Sequence, residues 1–495
     1  MRKNKDVRII FALFLIITIA TFLRLYKLDS IPGEMWGDVI EHYRLTQKIL
    51  NGNFYLSYAF GGDGPLFSYI SASISKIVGL SFWSLKFSTA IIGILLAIVT
   101  FYFSLELFSS KKIALVSSFL TAVSFWSLTF SRQGKPHILV PFIITISLYY
   151  LLKKRYFVAG FFLGLGMYSQ AGFWGAFLFS LYNPISFLIA FITSLPLILN
   201  INNSIALSGN FYVEKLGINS NFSLFHSAQT LLINIWKNIL SFNIRGDNCF
   251  RHSISGQPHV DFTSGILFII GFLLIIVSFI KKENKKLWPF FIYPFLIIQI
   301  PSIMDINNPT SIPNMGRMIG IIPFVYMSIA YGLVKLINLI KNKIIENFLL
   351  AIILIAIFLI NFNNYFFKYP SDLPNGNVPF GKIIADEINK YDNKINKIIV
   401  TGCCWGEWGQ PEPDGIRFQL KNDKKLISYN NDNLKEFIFS EADLDDKEDV
   451  LFILNPNDFY IGKEIGKYFK NIKEYSVIKN GLVIGKIIYG KFYKI

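Results

Sequence analysis

The sequence predicts an α-helical polytopic membrane protein with an α/β domain at its C-terminal end. Of its 495 residues, 53% are hydrophobic, and the mean hydropathy is +0.45. Soluble domains rarely reach such values, because their surfaces need polar groups. The formal net charge is +16. The Lys and Arg residues form short clusters between long apolar blocks, which is typical of cytoplasmic loops and not of a nucleic-acid-binding face.

Apolar blocks near the length that crosses a bilayer, roughly 20 residues, recur along the chain. The first follows a basic N-terminus, and no small-x-small cleavage site comes after it, so we interpret it as a retained span. The predicted spans are Val7–Leu23, Leu85–Phe108, Ile113–Phe130, Pro136–Leu152, Tyr156–Ala171, Thr263–Ile280, Leu287–Met304, Met318–Ile337 and Phe348–Ile360.

The stretch Phe173–Leu199 is too long for one straight span, and Asn183-Pro184 lies in its middle. Basic clusters such as Lys111-Lys112 and Lys153-Lys154-Arg155 are expected in the cytoplasm. With a cytoplasmic N-terminus, these assignments agree only if Phe173–Leu199 crosses twice or dips into the membrane and returns, and we favour two short crossings. The sequence therefore predicts about eleven spans, a cell-membrane location and an extracytoplasmic C-terminal domain.

The same assignment places four polar segments together outside the membrane. They are Lys27–Ser84, Ser131–Lys135, Asn200–Asp261 and Asp305–Arg317. We expect the chemistry of the protein to lie on this face.

The composition changes after the last apolar block. We assign residues 1–362 to the membrane domain, with a first outer loop at 25–84, and residues 363–495 to a soluble α/β domain. Predicted strands lie at Ile395–Thr401, Asp449–Leu454 and Leu482–Tyr489, and Lys421–Lys435 is interpreted as solvated surface. The three cysteines, Cys249, Cys403 and Cys404, are too few for a disulfide framework.

The first outer segment contains two carboxylates three residues apart, Asp38 and Glu41. On a helix that begins here, both would lie on one face. Two interpretations of Asp38 follow from the residues alone. It is either the N-cap of that helix, a position that Asp favours, or a catalytic carboxylate.

Several short motifs in the same order and on the same face resemble the GT-C membrane glycosyltransferases. The similarity is to the superfamily of protein O-mannosyltransferases and the lipid A aminoarabinose transferase (glycosyltransferase family 39-like). It covers roughly residues 20–180 and continues more weakly to residue 317. The motifs are Ile31-Pro-Gly-Glu-Met-Trp-Gly-Asp38, Ile49-Leu-Asn-Gly52, Gly61-Gly-Asp-Gly-Pro-Leu66, Gly79-Leu-Ser-Phe-Trp-Ser-Leu-Lys86, Ser131-Arg-Gln-Gly134, Arg245-Gly-Asp-Asn248, Arg251-His252, Gly256-Gln-Pro258 and Gly316-Arg317.

This resemblance implies transfer of a sugar from a polyprenyl-phosphate-linked donor to a hydroxyl of a protein, lipid or glycan on the outer face. Asp38 stands at the position of the family's catalytic base. The family often has Glu directly after this Asp, whereas this sequence has Val39. Glu41 and His42 are therefore candidates for assisting or cation binding. A divalent cation is the one cofactor the resemblance leaves open, and the metal ligands are unknown.

A leaving lipid phosphate gains negative charge, so the implied mechanism needs cations near it. The candidates on the outer face are Arg132, Lys135, Arg251, His252 and Arg317, with His137 as a possible hydrogen-bond donor. Each also has an ordinary structural interpretation. The first two could flank a span, the next two could be loop surface, and His137 follows a helix-starting Pro136. Asp63 precedes Gly64-Pro65 in a turn and is interpreted as structural or acceptor-facing.

Two other classes of function are compatible with a polytopic chain. A transporter or flippase for a lipid-linked saccharide would place charged residues in mid-membrane, whereas these spans are nearly free of charge. A non-catalytic membrane scaffold would tolerate replacement of Asp38.

Overall fold

The described chain forms two compact units, one of which is assembled from distant parts of the sequence. The computed structural model describes residues 2–35, 37–59, 62–200, 224–391, 395, 397–401, 413–421, 425–429, 437 and 444–493. The first unit comprises Met1–Ile31 and Glu41–Leu373, and the second comprises Pro32–Ile40 and Pro374–Ile495. The units thus divide at Leu373/Pro374, whereas residue 362, the expected boundary, lies inside a helix.

Helices make up almost all of the first unit. They are α1 (Arg2–Leu25), α2 (Gly37–Leu50, which begins in the second unit), α3 (Leu66–Val78), α4 (Phe82–Phe108), α5 (Lys111–Val123), α6 (Phe125–Phe130), α7 (Leu139–Leu152), α8 (Tyr156–Gly166), α9 (Trp174–Phe177), α10 (Pro184–Leu199), α11 (Leu224–Ser241), α12 (Phe262–Ile280), α13 (Tyr293–Ile297), α14 (Ile300–Ile303), α15 (Ile322–Ile337), α16 (Lys343–Asn363) and α17 (Tyr369–Asp372).

Among the described residues, five helical stretches are long and apolar enough to cross a membrane. They are Val7–Leu25, Phe82–Phe108, Phe262–Ile280, Ile319–Ile337 and Lys343–Asp372. Shorter apolar helical stretches lie at Leu66–Val78, Pro136–Leu152, Tyr156–Gly166, Ala171–Tyr182, Pro184–Leu199 and Trp288–Ile303. The chain is therefore a multi-pass membrane protein.

Several predicted spans are broken where the sequence offers an alternative to continuous helix. Ile113–Phe130 divides at Ser124, whose hydroxyl accepts a hydrogen bond from Ser127 N and so caps α6. Leu287–Met304 contains three prolines and is divided into a π-turn and two short helices. Phe173–Leu199 breaks at Asn183, as predicted, and the Asn183 side chain caps α10.

Two glycines allow α8 and α10 to approach each other closely. A Cβ at Gly160 would lie 2.4 Å from Ser186 O, and one at Gly164 would lie 2.5 Å from Thr193 Cβ. Gly160 and Gly164 form a G-x-x-x-G pattern, which permits close helix packing in membranes, where lipid provides no hydrophobic driving force.

Two glutamates join the basic clusters at one end of the first unit. Lys153 and Lys286 both pair with Glu106, while Lys112 and Lys343 both pair with Glu346. The clusters that the sequence assigns to one side of the membrane therefore meet at one end of the helical unit.

The second unit contains a five-stranded mixed sheet with strand order β2-β1-β3-β5-β4. The strands are β1 (Lys397–Thr401), β2 (Lys425–Tyr429), β3 (Asp449–Leu454), β4 (Phe469–Lys479) and β5 (Leu482–Phe492), and the helices are α18 (Phe380–Ile388), α19 (Pro413–Arg417) and α20 (Ile461–Ile465). β1 is parallel to β2 and β3, whereas β5 is antiparallel to β3 and β4.

Apolar clusters cover both faces of this sheet. Ile398 and Leu451 belong to the cluster that includes α18, whereas Ile399 and Phe452 belong to the cluster that includes α20. Consecutive side chains of a strand point to opposite faces, which explains why consecutive residues of β1 and β3 are apolar. The predicted α/β domain is confirmed.

Part of the prediction for this domain is wrong. Lys421–Lys435 is not only solvated surface, because β2 lies within it and buries Leu426 and Tyr429 beside β1. Cys403 and Cys404 lie outside the described residues.

Candidate active site

Asp38 occupies the first turn of α2. The helix begins at Gly37, so Asp38 lies in its first turn. A carboxylate in a first helical turn is stabilised by the positive end of the helix dipole. Asp38 is half-buried, whereas the next two residues, Val39 and Ile40, are buried. The carboxylate therefore comes from a segment whose backbone is held by apolar side chains.

Glu41 and His42 both have protein partners. Glu41 forms an ion pair with Arg44 one turn later. His42 is buried, with Nε2 3.0 Å from Asp63 Oδ2 and Nδ1 3.4 Å from Ser68 Oγ. Both ring nitrogens are thus occupied by protein groups, so this geometry does not support a cation-binding role for His42.

Asp63 lies where the first outer segment contacts the segment after α8. Gly64 N donates to Ser169 O at 2.9 Å, Leu66 N donates to Tyr168 O at 3.0 Å, and Asp63 forms a β-bridge with Gln170. A Cβ at Gly64 would lie 2.2 Å from Tyr168 O, so only glycine fits there. Asp63 therefore connects this junction to α2 through His42, in agreement with a structural role.

Arg132 does not have the geometry expected of a phosphate-binding residue. Its side chain is fully buried, and all three guanidinium nitrogens donate hydrogen bonds within the protein. The acceptors are Tyr365 Oη and the carbonyls of Leu23, Arg24, Tyr26, Lys27 and Ile31. The last carbonyls of a helix have no partner within it, and Arg132 supplies one for the end of α1.

Lys86, in the fourth motif of the resemblance, has a similar role. It is fully buried, and its Nζ donates to Leu28 O at 3.0 Å and to Asp29 O at 3.4 Å. Together, Arg132 and Lys86 hold the chain as it leaves α1. The sequence marks Lys86 by motif only and gives no indication of these carbonyl partners.

Lys135 and His137 lie at the short helical turn Pro136–Ile138 that precedes α7, and both are buried. His137 Nε2 lies 3.2 Å from Gln170 Nε2, and its ring stacks against Phe130. The ring of His252 lies beside the same phenylalanine, with 6.2 Å between the centroids of the two imidazoles. The imidazoles of His137 and His252 therefore lie beside the same ring, that of Phe130.

Asp247 organises the loop that carries His252. Its Oδ2 lies 2.9 Å from His252 Nδ1 and accepts a hydrogen bond of 2.8 Å from Met315 N, while Oδ1 accepts one of 2.8 Å from Cys249 N. Asp247 therefore joins the loop before α12 to the segment before α15. The sequence contains it in a quoted motif, but nothing in the pattern indicates a buried carboxylate.

These contacts determine the charge of the cluster. Burial alone would lower the pKa of His252, but Cys249 and Asp247 raise it to about 9. Burial alone would raise the pKa of Asp247, but the hydrogen bond and charge of His252 lower it. Against the effect of burial, His252 and Arg251 lower the pKa of Cys249 to about 6. His252 is therefore cationic at neutral pH.

Arg251 lies beside this cluster on a backbone that is held firmly. Its carbonyl accepts hydrogen bonds from Gln133 Nε2 and from Tyr369 Oη. Gln133 belongs to the Ser131–Lys135 segment, so two of the predicted outer segments are in direct contact. Its guanidinium lies 5.9 Å from the Phe250 ring, and the residue is half-buried.

Arg317 pairs with a buried carboxylate, Asp305, that the sequence analysis did not single out. Arg317 Nη1 donates to Asp305 Oδ2, and Ser311 Oγ donates to the same oxygen at 3.3 Å. The Arg317 side chain is 25% exposed, whereas that of Asp305 is 2% exposed. Nε and Nη2 of Arg317 have no hydrogen-bond partner among the described residues, which leaves half of the guanidinium fork for an anion.

Gly316, the residue before Arg317, lies next to the two histidines. A Cβ at Gly316 would lie 3.2 Å from His137 Cδ2 and 3.2 Å from His252 Cε1. The residue before Arg317 therefore lies between the two imidazoles. The cationic cluster, defined as Arg251, His252 and Arg317, is assembled from segments that are far apart in sequence.

The described residues contain no group of three or more His, Cys, Asp or Glu that could hold a metal ion. Glu41 and Asp305 pair with Arg44 and Arg317, and Asp63 and Asp247 pair with His42 and His252. The divalent cation stays a prediction from the resemblance.

Comparison with known proteins identifies the fold. No protein-family profile matches the chain. The structure aligns with ArnT from Cupriavidus metallidurans bound to undecaprenyl phosphate, with a TM-score of 0.54 and 11% identity over 96% of this chain and 97% of that one. The chain has the GT-C fold.

Archaeal proteins share this GT-C fold. The oligosaccharyltransferase AglB of Archaeoglobus fulgidus, solved with an inhibitory peptide and a dolichol-phosphate, aligns with a TM-score of 0.53 and 14% identity over 99% of this chain and 74% of that one. In sequence, dolichyl-phosphooligosaccharide-protein glycotransferase 2 of the same organism is 29% identical over 233 residues, 44% of this chain. That alignment spans only 37% of the relative's length. The resemblance to GT-C glycosyltransferases that the sequence indicates is confirmed.

Proposed function

We propose that this protein transfers a sugar from a polyprenyl-phosphate-linked donor to a hydroxyl-bearing acceptor on the outer face of the membrane. The observation that supports the proposal is the cationic cluster, which lies where predicted outer segments of a chain with the GT-C fold meet. Solved proteins with this fold hold undecaprenyl phosphate or dolichol-phosphate. The archaeal relative is named a glycotransferase, which is the class of reaction proposed here.

Asp38 is the proposed general base. The acceptor oxygen attacks the anomeric carbon of the donor and forms the new glycosidic bond, while the bond from that carbon to the phosphate oxygen breaks. The acceptor proton passes to the Asp38 carboxylate, and the electron pair of the broken bond leaves with the lipid phosphate. A single positioned carboxylate suffices for such an inverting displacement.

The cationic cluster is the proposed site of the leaving phosphate, with Lys135 as a further candidate. Arg317 offers two guanidinium nitrogens, and Cys249 and Asp247 raise the pKa of His252. Charge-assisted hydrogen bonds to a phosphate that gains charge stabilise the transition state more than the ground state. Arg132 is not part of this proposal, because its nitrogens are used within the protein.

The proposed orientation places this cluster outside the cell membrane. It follows from the lysines that Glu106 and Glu346 gather at one end of the helical unit, since cytoplasmic ends are rich in Lys and Arg. Labelling of single cysteines placed at exposed positions tests it. Lys154→Cys is expected to react only after the membrane is permeabilised, and Asp372→Cys in intact cells.

Replacement of Asp38 tests the chemistry. The full chain is purified, returned to lipid vesicles and supplied with short-chain polyprenyl-phosphate sugars and an acceptor extract. Asp38→Asn is expected to abolish transfer, while Asp29→Asn, an exposed carboxylate in the same outer segment, is expected to retain it. Full activity of Asp38→Asn with an unchanged melting temperature rejects the base assignment. Comparison of glycans and glycolipids from cells with and without the protein identifies the sugar and the acceptor.

A further inference from the structure

Glu34 connects the segment that precedes Asp38 to a helix near the C-terminal end of the chain. Its Oε2 accepts a hydrogen bond of 2.9 Å from Gly381 N, in the first turn of α18. Its Oε1 accepts one of 2.9 Å from Met35 N. Glu34 is 8% exposed, so both bonds form in an environment with little water.

The chemistry of this contact favours a carboxylate. The first N–H groups of a helix have no partner within the helix, and the helix dipole is positive at that end. Hydrogen bonds from backbone N–H groups to an ionised carboxylate are about twice as strong as those between neutral groups. Glu34 therefore caps α18 from a position 347 residues earlier in the chain.

A second hydrogen bond lies next to the first. Gly33 N donates to Asn377 Oδ1 at 2.6 Å. Asn377 lies in the turn Pro374–Asn377, and its φ of +68° is in the left-handed region that Asn tolerates better than most residues. The turn is thus shaped to present this side chain to the backbone of Gly33.

Apolar packing holds the remainder of the segment. Met35, Val39 and Ile40 are all buried. A Cβ at Gly415 would lie 3.2 Å from Ile40 Cδ1, so Ile40 packs closely against α19. Residues on both sides of Asp38 are therefore fixed to elements of the C-terminal domain, within one compact unit.

We propose that the C-terminal domain positions the catalytic carboxylate, with Glu34 and Asn377 as the positioning residues. The two residues hold the backbone of Gly33 to Met35, from which three residues lead to Asp38. This inference rests on the proposed function of Asp38. It gives the C-terminal domain a part in catalysis, since a shift of about 1 Å in a catalytic group can reduce the rate on the order of 100-fold.

Kinetics of the full chain in lipid vesicles test the positioning role. Glu34→Ala and Asn377→Gly are each expected to lower kcat about tenfold, with the donor KM changed less than about twofold, because the phosphate site is intact. Glu34→Gln is expected to recover part of kcat, since its amide oxygen still accepts from Gly381 N. Asp386→Asn, on the exposed face of α18, is the matched control and is expected to leave kcat unchanged.

Hydrogen exchange supplies a measurement that needs no substrate. In Glu34→Ala/Asn377→Gly, amides of residues 35–40 are expected to exchange at least tenfold faster than in the wild type, while those of α4 and α15 exchange at the same rate. A double variant with wild-type exchange at residues 35–40, or with kcat within twofold of wild type, overturns the proposal. If the wild type transfers no sugar, the proposed function fails, and the exchange data still decide the anchoring.

Discussion

Asp247 and His252 form an ion pair in which Asp247 Oδ2 lies 2.9 Å from His252 Nδ1. The side chains are 4% and 12% exposed, respectively. Asp247 also accepts hydrogen bonds from two backbone N–H groups, so the carboxylate is fixed before any ligand binds. Asp247 therefore orients the imidazole and, together with Cys249, raises its pKa.

We predict that Asp247→Asn shifts the pH dependence of donor binding. The pKa of His252 is raised to about 9, so the wild-type donor KM is expected to increase as the pH rises through about 9. Without the carboxylate, the same increase is expected at lower pH. Cys249, Arg251 and His137 also lie near this imidazole, so each is left unchanged. Measurement of KM between pH 6 and pH 10 checks this, and an unchanged profile contradicts it.

The same pair is expected to give the fold a pH-dependent stability. The folded pKa of His252 lies above its ordinary value of 6.5, so its contribution is complete below pH 6.5 and is lost as the pH rises through about 9. The pKa of Asp247 is lowered, so its contribution is lost only in acid, below its ordinary value. Melting temperatures of wild type and Asp247→Asn, measured across this range, are expected to converge above about pH 9. A constant difference contradicts the prediction.

Cys249 is predicted to react as a thiolate at neutral pH. Its pKa is lowered to about 6 by His252 and Arg251, against the effect of burial. In a Cys403→Ser/Cys404→Ser background, the rate of alkylation by iodoacetamide is expected to reach half its maximum near pH 6. His252→Gln is expected to move this midpoint upward, since His252 lowers the pKa of Cys249 more than Arg251 does. A midpoint at pH 8 or above in the parent protein would show an ordinary thiol.

Arg132→Met is predicted to destabilise the protein by about 3 kcal/mol or more, because it leaves the carbonyls at the end of α1 buried without donors. Arg132→Lys is expected to rescue little, because a single ammonium cannot bond to carbonyls on several sides. Arg155→Met, at an exposed arginine, is the control. Thermal unfolding in detergent measures the difference. If Arg132→Met has normal stability but binds the donor weakly, Arg132 is a phosphate-binding residue after all.

Arg317→Gln is predicted to raise the donor KM about tenfold, the effect of losing one charge-assisted contact of about 1.4 kcal/mol. The single change also leaves Asp305 buried without its partner, so stability is expected to decrease. Arg317→Gln/Asp305→Asn is expected to recover the stability and not the KM. If the double variant recovers both the stability and the donor KM, Arg317 has only a structural role.

The helices were predictable because the patterns that cause them are local in the sequence. Apolar blocks of bilayer length, with basic clusters between them, are enough to predict most of the spans. Asn183-Pro184 likewise predicts the break within Phe173–Leu199. The interruption at Ser124 was not predictable in this way, because a serine hydroxyl that caps a new helix leaves hydropathy unchanged. Similarly, β2 is short and lies among polar residues, so its burial depends on β1 and not on its own pattern.

For the candidate site, the sequence indicates which residues lie near one another. It does not indicate which hydrogen-bond partners each of them has. Arg132 and Arg317 are alike in sequence, since both are basic residues beside a predicted span. One donates to the carbonyls of α1, and the other pairs with Asp305 and remains partly exposed. This difference depends on partners that are about 100 residues away from Arg132 and 12 residues away from Arg317, so no local pattern contains it.

Residues Pro32–Ile40 belong to a unit whose other part follows Pro374, which has a consequence for biosynthesis. Glu34 leaves the ribosome 347 residues before Gly381. At about 5–20 residues per second, roughly 20–70 s of translation separate the two. During this interval the Glu34 carboxylate has no helix to cap, so the segment that precedes Asp38 acquires this contact only after α18 has been synthesised.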